Sequence, residues 1–143
     1  MMQAGEPHYV LEDQVGFLLR LAYQRHIAIY AAKTPGDITP VQFSMLYRLM
    51  HERAPVSQNA LGRLVGMDAA TTKGVVARLV ARGLIEKTSD DDDRRRHTLS
   101  ITAAGRAVME NHVPLMRSVS AATLAPLDAA EQDLLVALLK KLT

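Results

Sequence analysis

The chain has 143 residues, a formal net charge of +2 and a pI near 9.1, with 48% hydrophobic and 22% charged residues. That balance fits one globular domain and excludes a disordered chain, while the mild basic excess is weak evidence for nucleic acid. Cysteine is absent, which removes disulfides, thiolate metal sites and cysteine redox sensing together and fits a cytoplasmic location.

Met1 to His8 are polar and lack the apolar segment of a secretory leader, and residues 1–9 read as a flexible arm. The longest apolar run, Leu134–Leu139, is far short of the ~20 residues that a membrane span needs. Val15, Leu18, Leu19, Ala22 and Ile29 then recur at helical spacing over residues 11–33, and Pro35–Gly36 ends that helix. Thr39, Pro40 and Gln42 supply a cap, a proline at the first helical position and a capping box. Met45, Leu46, Leu49 and Met50 form the apolar stripe that follows, and Pro55 breaks it.

Ser57 caps a short helix carrying Leu61, Leu64 and Val65, which Gly66 closes. Asp68 caps the next helix, which runs to Arg82 and stops at Gly83. Two short helices across a glycine-containing turn make a helix-turn-helix. The period then changes. Leu84–Lys87 and His97–Ile101 read as short strands around a charged loop, a hairpin over residues 85–101 with a long tip. Thr102 is placed to cap a long helix reaching about Leu124, with a kink expected at Pro114. Asp128 and Glu131 form a second capping box ahead of Leu134, Leu135, Leu138, Leu139 and Leu142.

Readout of DNA needs a helix that is narrow and polar on one face. Within residues 68–82, Val75, Val76, Leu79 and Val80 mark the inner face, and Ala69, Ala70, Thr72, Lys73 and Ala77 are assigned to the outer one. Thr71, Thr72 and Lys73 lie near the helix start, where the dipole favours phosphate. Taken alone, this is equally an ordinary solvated helix face. The charged loop runs Asp90–Asp93, then Arg94, Arg95 and Arg96, so its local charge nearly cancels. It is either a solvated turn of self-paired charges, or a loop in which an aspartate braces one arginine while another projects into a minor groove.

With helix-turn-helix, hairpin and long helix in that order, the chain resembles the MarR family of winged-helix transcription regulators. The likeness is carried by Met67–Lys73, Arg78–Lys87, Asp90–Arg96 and Leu99–Gly105. The resemblance implies a mainly α fold with a small β-hairpin wing, as a single domain over residues 1–143. In it the helices of residues 11–33 and 103–143 would form a homodimerisation platform, and residues 39–101 the winged helix-turn-helix lobe. The apolar stripes of the two terminal helices would otherwise fill a monomer core. The implied partner is double-stranded DNA, touched by Ala70, Thr71, Thr72, Lys73, Arg94, Arg95 and Arg96, with Arg95 most like the family's minor-groove residue. Two departures are visible: Asp91 stands where the family often has proline, and Gly74 where it has a larger residue.

The resemblance further implies repression relieved by a small aromatic carboxylate, with no cofactor. Candidate contacts are His8, Tyr9, Phe17, Arg20, Phe43, Tyr47, His51 and Met116, with Tyr23 and His112 nearby in the lining helices. Arg20 is the implied carboxylate partner, and Phe43 or Tyr47 the stacking ring. For each residue alone, a core or ion-pair role is the alternative. Residues 9–20 with Gln24, Arg25 and His26 are similar to a subgroup that controls nicotinate breakdown and senses 6-hydroxynicotinate. The alternative is a metal-responsive, zinc-type regulator, but the five histidines are scattered without paired ligand spacing. No nucleophile elbow, phosphate loop or HExxH motif is present, so an enzyme is not expected. A winged helix used only for protein contacts is disfavoured by the threonines, Lys73 and the wing arginines.

Overall fold

The computed structural model describes residues 7–89 and 97–143. The elements are α1 (Val15–Lys33), α2 (Pro40–His51), β1 (Val56–Ser57), α3 (Gln58–Val65), α4 (Ala69–Ala81), β2 (Ile85–Ser89), β3 (His97–Ile101), α5 (Ala103–Leu124) and α6 (Ala129–Lys141). They divide into two compact units. One takes residues up to 33 with 116–143, and the other takes residues 34–115.

The unit of residues 34–115 is the winged helix-turn-helix lobe. Its helices begin where short side chains satisfy open backbone amides. Thr39 Oγ1 accepts from the Gln42 amide at 3.2 Å, and the Gln42 side chain accepts from the Thr39 amide at 3.0 Å. Ser57 caps α3 by accepting from the Ala60 amide at 3.2 Å. Gly66 closes α3 at φ +72° and Gly83 follows α4 at φ +73°, a left-handed conformation that costs glycine little. The apolar faces then meet in one core. Ile38, Met45, Leu46, Leu61, Leu79 and Leu99 are fully buried there, with Val76 and Ile85 nearly so.

Strands β2 and β3 pair antiparallel from Ile85 opposite Ile101 to Ser89 opposite His97. This register turns Ile85 and Leu99 inward and Glu86 and Thr88 outward, while Lys87 and Ser89, on Ile85's face but farther along the strand, are also exposed. β1 adds a third strand on the other side of β3, with Val56 opposite Leu99.

The N-terminal part of α5 belongs to this lobe and not to a separate platform, so the expected boundary at residue 103 moves to 115. The cause is packing. A side chain on Gly105 would overlap the Leu84 carbonyl oxygen and come within 2.7 Å of Ile101 Cγ1. Met109 is fully buried in the lobe core.

In the other unit the expected helix over residues 11–33 is divided. Leu11–Asp13 form a 3-10 turn, Gln14 is extended, and α1 begins at Val15. Arg25 donates to the Thr123 and Ala122 carbonyls at 2.8 and 3.0 Å, capping the end of α5. His26 Nδ1 and Thr123 Oγ1 lie 2.8 Å apart. Gln132 donates to the Leu124 and Leu127 carbonyls and fixes the turn into α6. Leu18, Leu19, Leu134, Leu138, Leu139 and Leu142 remain exposed, Leu142 by 68%. The alternative that these stripes fill a monomer core therefore fails. No helix among the described residues is long and apolar enough to cross a membrane.

Candidate nucleic-acid interface

The candidate recognition helix is α4. Asp68 accepts from the Thr71 amide at 2.7 Å. That bond, with the Thr71 hydroxyl and the Ala70 amide, holds the Asp68 carboxyl below its ordinary range. The start of the helix is therefore anchored by a charge at the surface. Val75, Val76 and Leu79 bury one face, and Ala69, Ala70, Thr71, Lys73, Ala77 and Arg78 are exposed on the rest.

Thr72 is a correction. It is 1% exposed, and its hydroxyl donates to the Asp68 carbonyl at 2.7 Å. Its position three, four and seven residues before Val75, Val76 and Leu79 puts it on the inner face, where it cannot reach a base. It packs instead against Gly62 of α3: a Cβ at Gly62 would fall 2.6 Å from Thr72 Oγ1. This close crossing sets how α4 is seated on α3.

Two concavities flank the helix. One of about 280 Å³ is lined by Gln58, Asn59, Gly62, Arg63, Met67, Ala69 and Thr72. The other, about 340 Å³, lies between α4 and β2 and includes Lys73 and Lys87. Exposed Arg63, Arg78 and Lys87 thus join Lys73 on the lobe surface, although sequence reading did not single them out. Arg78 follows Thr71 by seven residues, a spacing that could have revealed it. Arg82 is committed elsewhere, donating to the Asp37 carbonyl at 2.6 Å. Gly74 meets no heavy atom within 4 Å of a virtual Cβ, so nothing within the lobe requires a glycine there. Arg94, Arg95 and Arg96, with Asp90–Asp93, lie outside the described residues; the stem that carries them is the β2–β3 ladder.

The candidate effector residues fall in both units. His8 and Tyr9 are exposed, Met116 is half-buried, and the Arg20 guanidinium sits 5.4 Å from the centre of the Phe17 ring. In the lobe, Phe43, Tyr47 and His51 form a ring stripe along α2. Phe43 and Tyr47 centroids are 5.9 Å apart, and Tyr47 stacks on His51 at 4.2 Å. Phe43 also meets His112 of α5 at 5.4 Å. His112 is 3% exposed, and burial lowers its pKa, with the Asp37 charge acting in the opposite direction. Beside this stripe, Phe43, Ser44, Tyr47, Arg48, Leu64 and Val65 line a groove of about 490 Å³. Arg48 had no distinguishing signal in the sequence. No three His, Asp or Glu side chains among the described residues are grouped to hold a metal ion, so the zinc-type alternative gains no support.

Residues 36–96 match the family described as MarR. The chain is 36% identical over 135 residues to the HTH-type transcriptional repressor NicR of Pseudomonas putida, covering 94% of this chain and 85% of that one. A crystal structure of a probable transcriptional regulator from Pseudomonas aeruginosa is 47% identical, with a TM-score of 0.88 over 94% of this chain and all of that one. BpsR of Bordetella bronchiseptica, whose DNA binding is regulated by 6-hydroxynicotinic acid, is 36% identical with a TM-score of 0.90 over 95% of this chain and 97% of that one.

Proposed function

The chain belongs to the MarR family of transcription regulators, and from that premise we propose that it is a homodimeric repressor released from a pseudo-palindromic operator by 6-hydroxynicotinate. The observation that carries the DNA half is the Asp68-capped α4, whose exposed Ala70, Thr71 and Lys73 stand beside Lys87 and the wing stem. Small side chains let the helix enter a major groove closely, and the cations meet phosphate. Arg95, with Arg94 and Arg96, is assigned to the minor groove.

A second copy of this chain is the occupant that the exposed leucines of α1 and α6 favour. Two recognition helices related by a two-fold axis then read half-sites about 34 Å apart. The acid acts by population shift: it favours dimers whose helices no longer match the operator, and DNA weakens acid binding by the same factor. The action is binding in the cytoplasm, without turnover and without a prosthetic group. His8, Tyr9, Phe17, Arg20, Phe43, Tyr47, His51 and Met116 are the contacts that the family resemblance implies for the acid.

Selection from a random duplex library tests the DNA half. The expected product is an inverted repeat with half-sites about one helical turn apart. Recovery of no sequence preference, or of a single half-site bound by a monomer, contradicts the reading.

A further inference from the structure

We infer that Arg48 is the carboxylate-binding residue for the aromatic acid, in a groove that α2 and α3 form within the lobe. This rests on the proposed aromatic-acid effector and moves the charge recognition from Arg20 to a residue with no assigned role.

The groove follows from helix spacing. Phe43 and Tyr47 are four residues apart and stack up one face of α2, while Ser44 and Arg48 form the adjacent row. Leu64 and Val65, in the last turn of α3, supply the opposite wall. The space, about 490 Å³, accommodates a single-ring acid with ordered water. The rings are held in place by their neighbours, Phe43 by His112 at 5.4 Å and Tyr47 by His51 at 4.2 Å. A flat ligand therefore meets a preorganised aromatic wall.

Charge selects the ligand. Arg48 is exposed, and its guanidinium has no acceptor among the described residues. Among the described residues it is the only charged side chain lining the groove. A free planar guanidinium recognises carboxylate in bidentate fashion. Arg20, over the Phe17 ring, Arg25, on two carbonyls, and Arg82, on the Asp37 carbonyl, are already engaged. The carbonyl end of α3 contributes partial negative charge to the far wall. That polarity places the carboxylate at Arg48 and favours a hydrogen-bond donor, such as a ring hydroxyl or pyridone N–H, on the α3 side.

The wall also connects to the recognition helix. α3 is seated on α4 at Gly62 and Thr72, with no room for a Cβ between them. A ring wedged against Leu64 and Val65 therefore bears on the helix that positions α4. It favours whichever seating accepts it more tightly.

Calorimetric titration of the full chain with 6-hydroxynicotinate, nicotinate and benzoate tests this, using Arg48→Gln, Leu64→Trp and Arg20→Gln. Arg48→Gln should weaken 6-hydroxynicotinate by roughly ten- to a hundredfold. Leu64→Trp should fill the groove and abolish binding, and Arg20→Gln should stay within about threefold of the parent. Operator affinity without acid should be unchanged in Arg48→Gln and lowered in Leu64→Trp, whose indole occupies the groove as the acid does, and urea unfolding should show that both variants fold. If Arg48→Gln and Leu64→Trp bind as the parent does, the groove assignment is overturned while the effector reading stands. If 6-hydroxynicotinate fails but benzoate binds in an Arg48-dependent way, the nicotinate reading falls and the groove stands. If none of the acids binds the parent, both are overturned.

Discussion

Gly62 and Gly74 are both helical glycines, yet their surroundings assign them opposite roles. Gly62 faces Thr72 across the α3–α4 crossing, and an added methyl would have to displace a buried, hydrogen-bonded hydroxyl. Gly62→Ala should lower unfolding free energy by about 1–3 kcal/mol in urea denaturation. Gly74 faces open space, so Gly74→Ala should raise it by about 1 kcal/mol through helix propensity alone. If that variant is more stable but binds operator less tightly, the glycine serves close approach to DNA; if it is destabilised, the open surroundings are wrongly assigned. His112 gives the lobe a pH dependence. Its folded-state pKa lies below the ordinary 6.5 because burial disfavours the charged ring, despite Asp37. As pH falls through 6.5 the unfolded chain takes up the proton first, so this group removes stability with falling pH until the folded pKa is reached. Urea midpoints at pH 7.5 and 5.5 should converge in His112→Gln relative to the parent, and an unchanged difference contradicts the assignment.

Among the elements, those governed by short-range chemistry were legible in the sequence. The Thr39–Gln42 and Asp128–Glu131 capping boxes are both formed, the latter with 2.9 and 3.0 Å bonds. Gly66 and Gly83 end their helices as their lack of a Cβ allows. β1 was not legible, because two residues carry no periodicity and the strand exists only by pairing with β3, some forty residues away. The Arg48 groove was hidden for the same reason, since Leu64 and Val65 reach α2 only through the tertiary fold. Thr72 is different: helical spacing places it with Val75, Val76 and Leu79, so its burial was legible in the sequence although its hydroxyl suggests an outward role. The wing stem, by contrast, carries a usable signal in Lys87, exposed opposite inward Leu99 and sharing a concavity with Lys73. Lys87→Ala should weaken operator binding across all sequences and reduce the slope of log affinity against log salt by about 1. An unchanged slope removes Lys87 from the interface.

At the scale of the molecule, the exposed leucines are the feature that a lone chain does not account for. Leu134 and Leu138 of α6 and Leu142 just after it are 57%, 47% and 68% exposed, and apart from the half-buried Gln132 the rest of the helix is also open to solvent. Burying such surfaces against a second copy at roughly 25 cal/mol per Å² is the expected source of dimer stability. Replacing Leu138 and Leu139 together by lysine should yield a monomer by sedimentation at micromolar concentration. Its operator affinity should fall by roughly a hundredfold, because binding of the second half-site is no longer intramolecular. A double variant that remains dimeric would place the interface elsewhere.

The proposed repressor couples operator binding to an aromatic acid, and a fluorescence-anisotropy titration of the selected operator at about 150 mM salt, with and without saturating 6-hydroxynicotinate, reads that coupling. Binding to the inverted repeat should be tight, with a loss of about five- to 150-fold when the acid is present. Equal affinity in both titrations, with the acid shown by calorimetry to be bound, would contradict it.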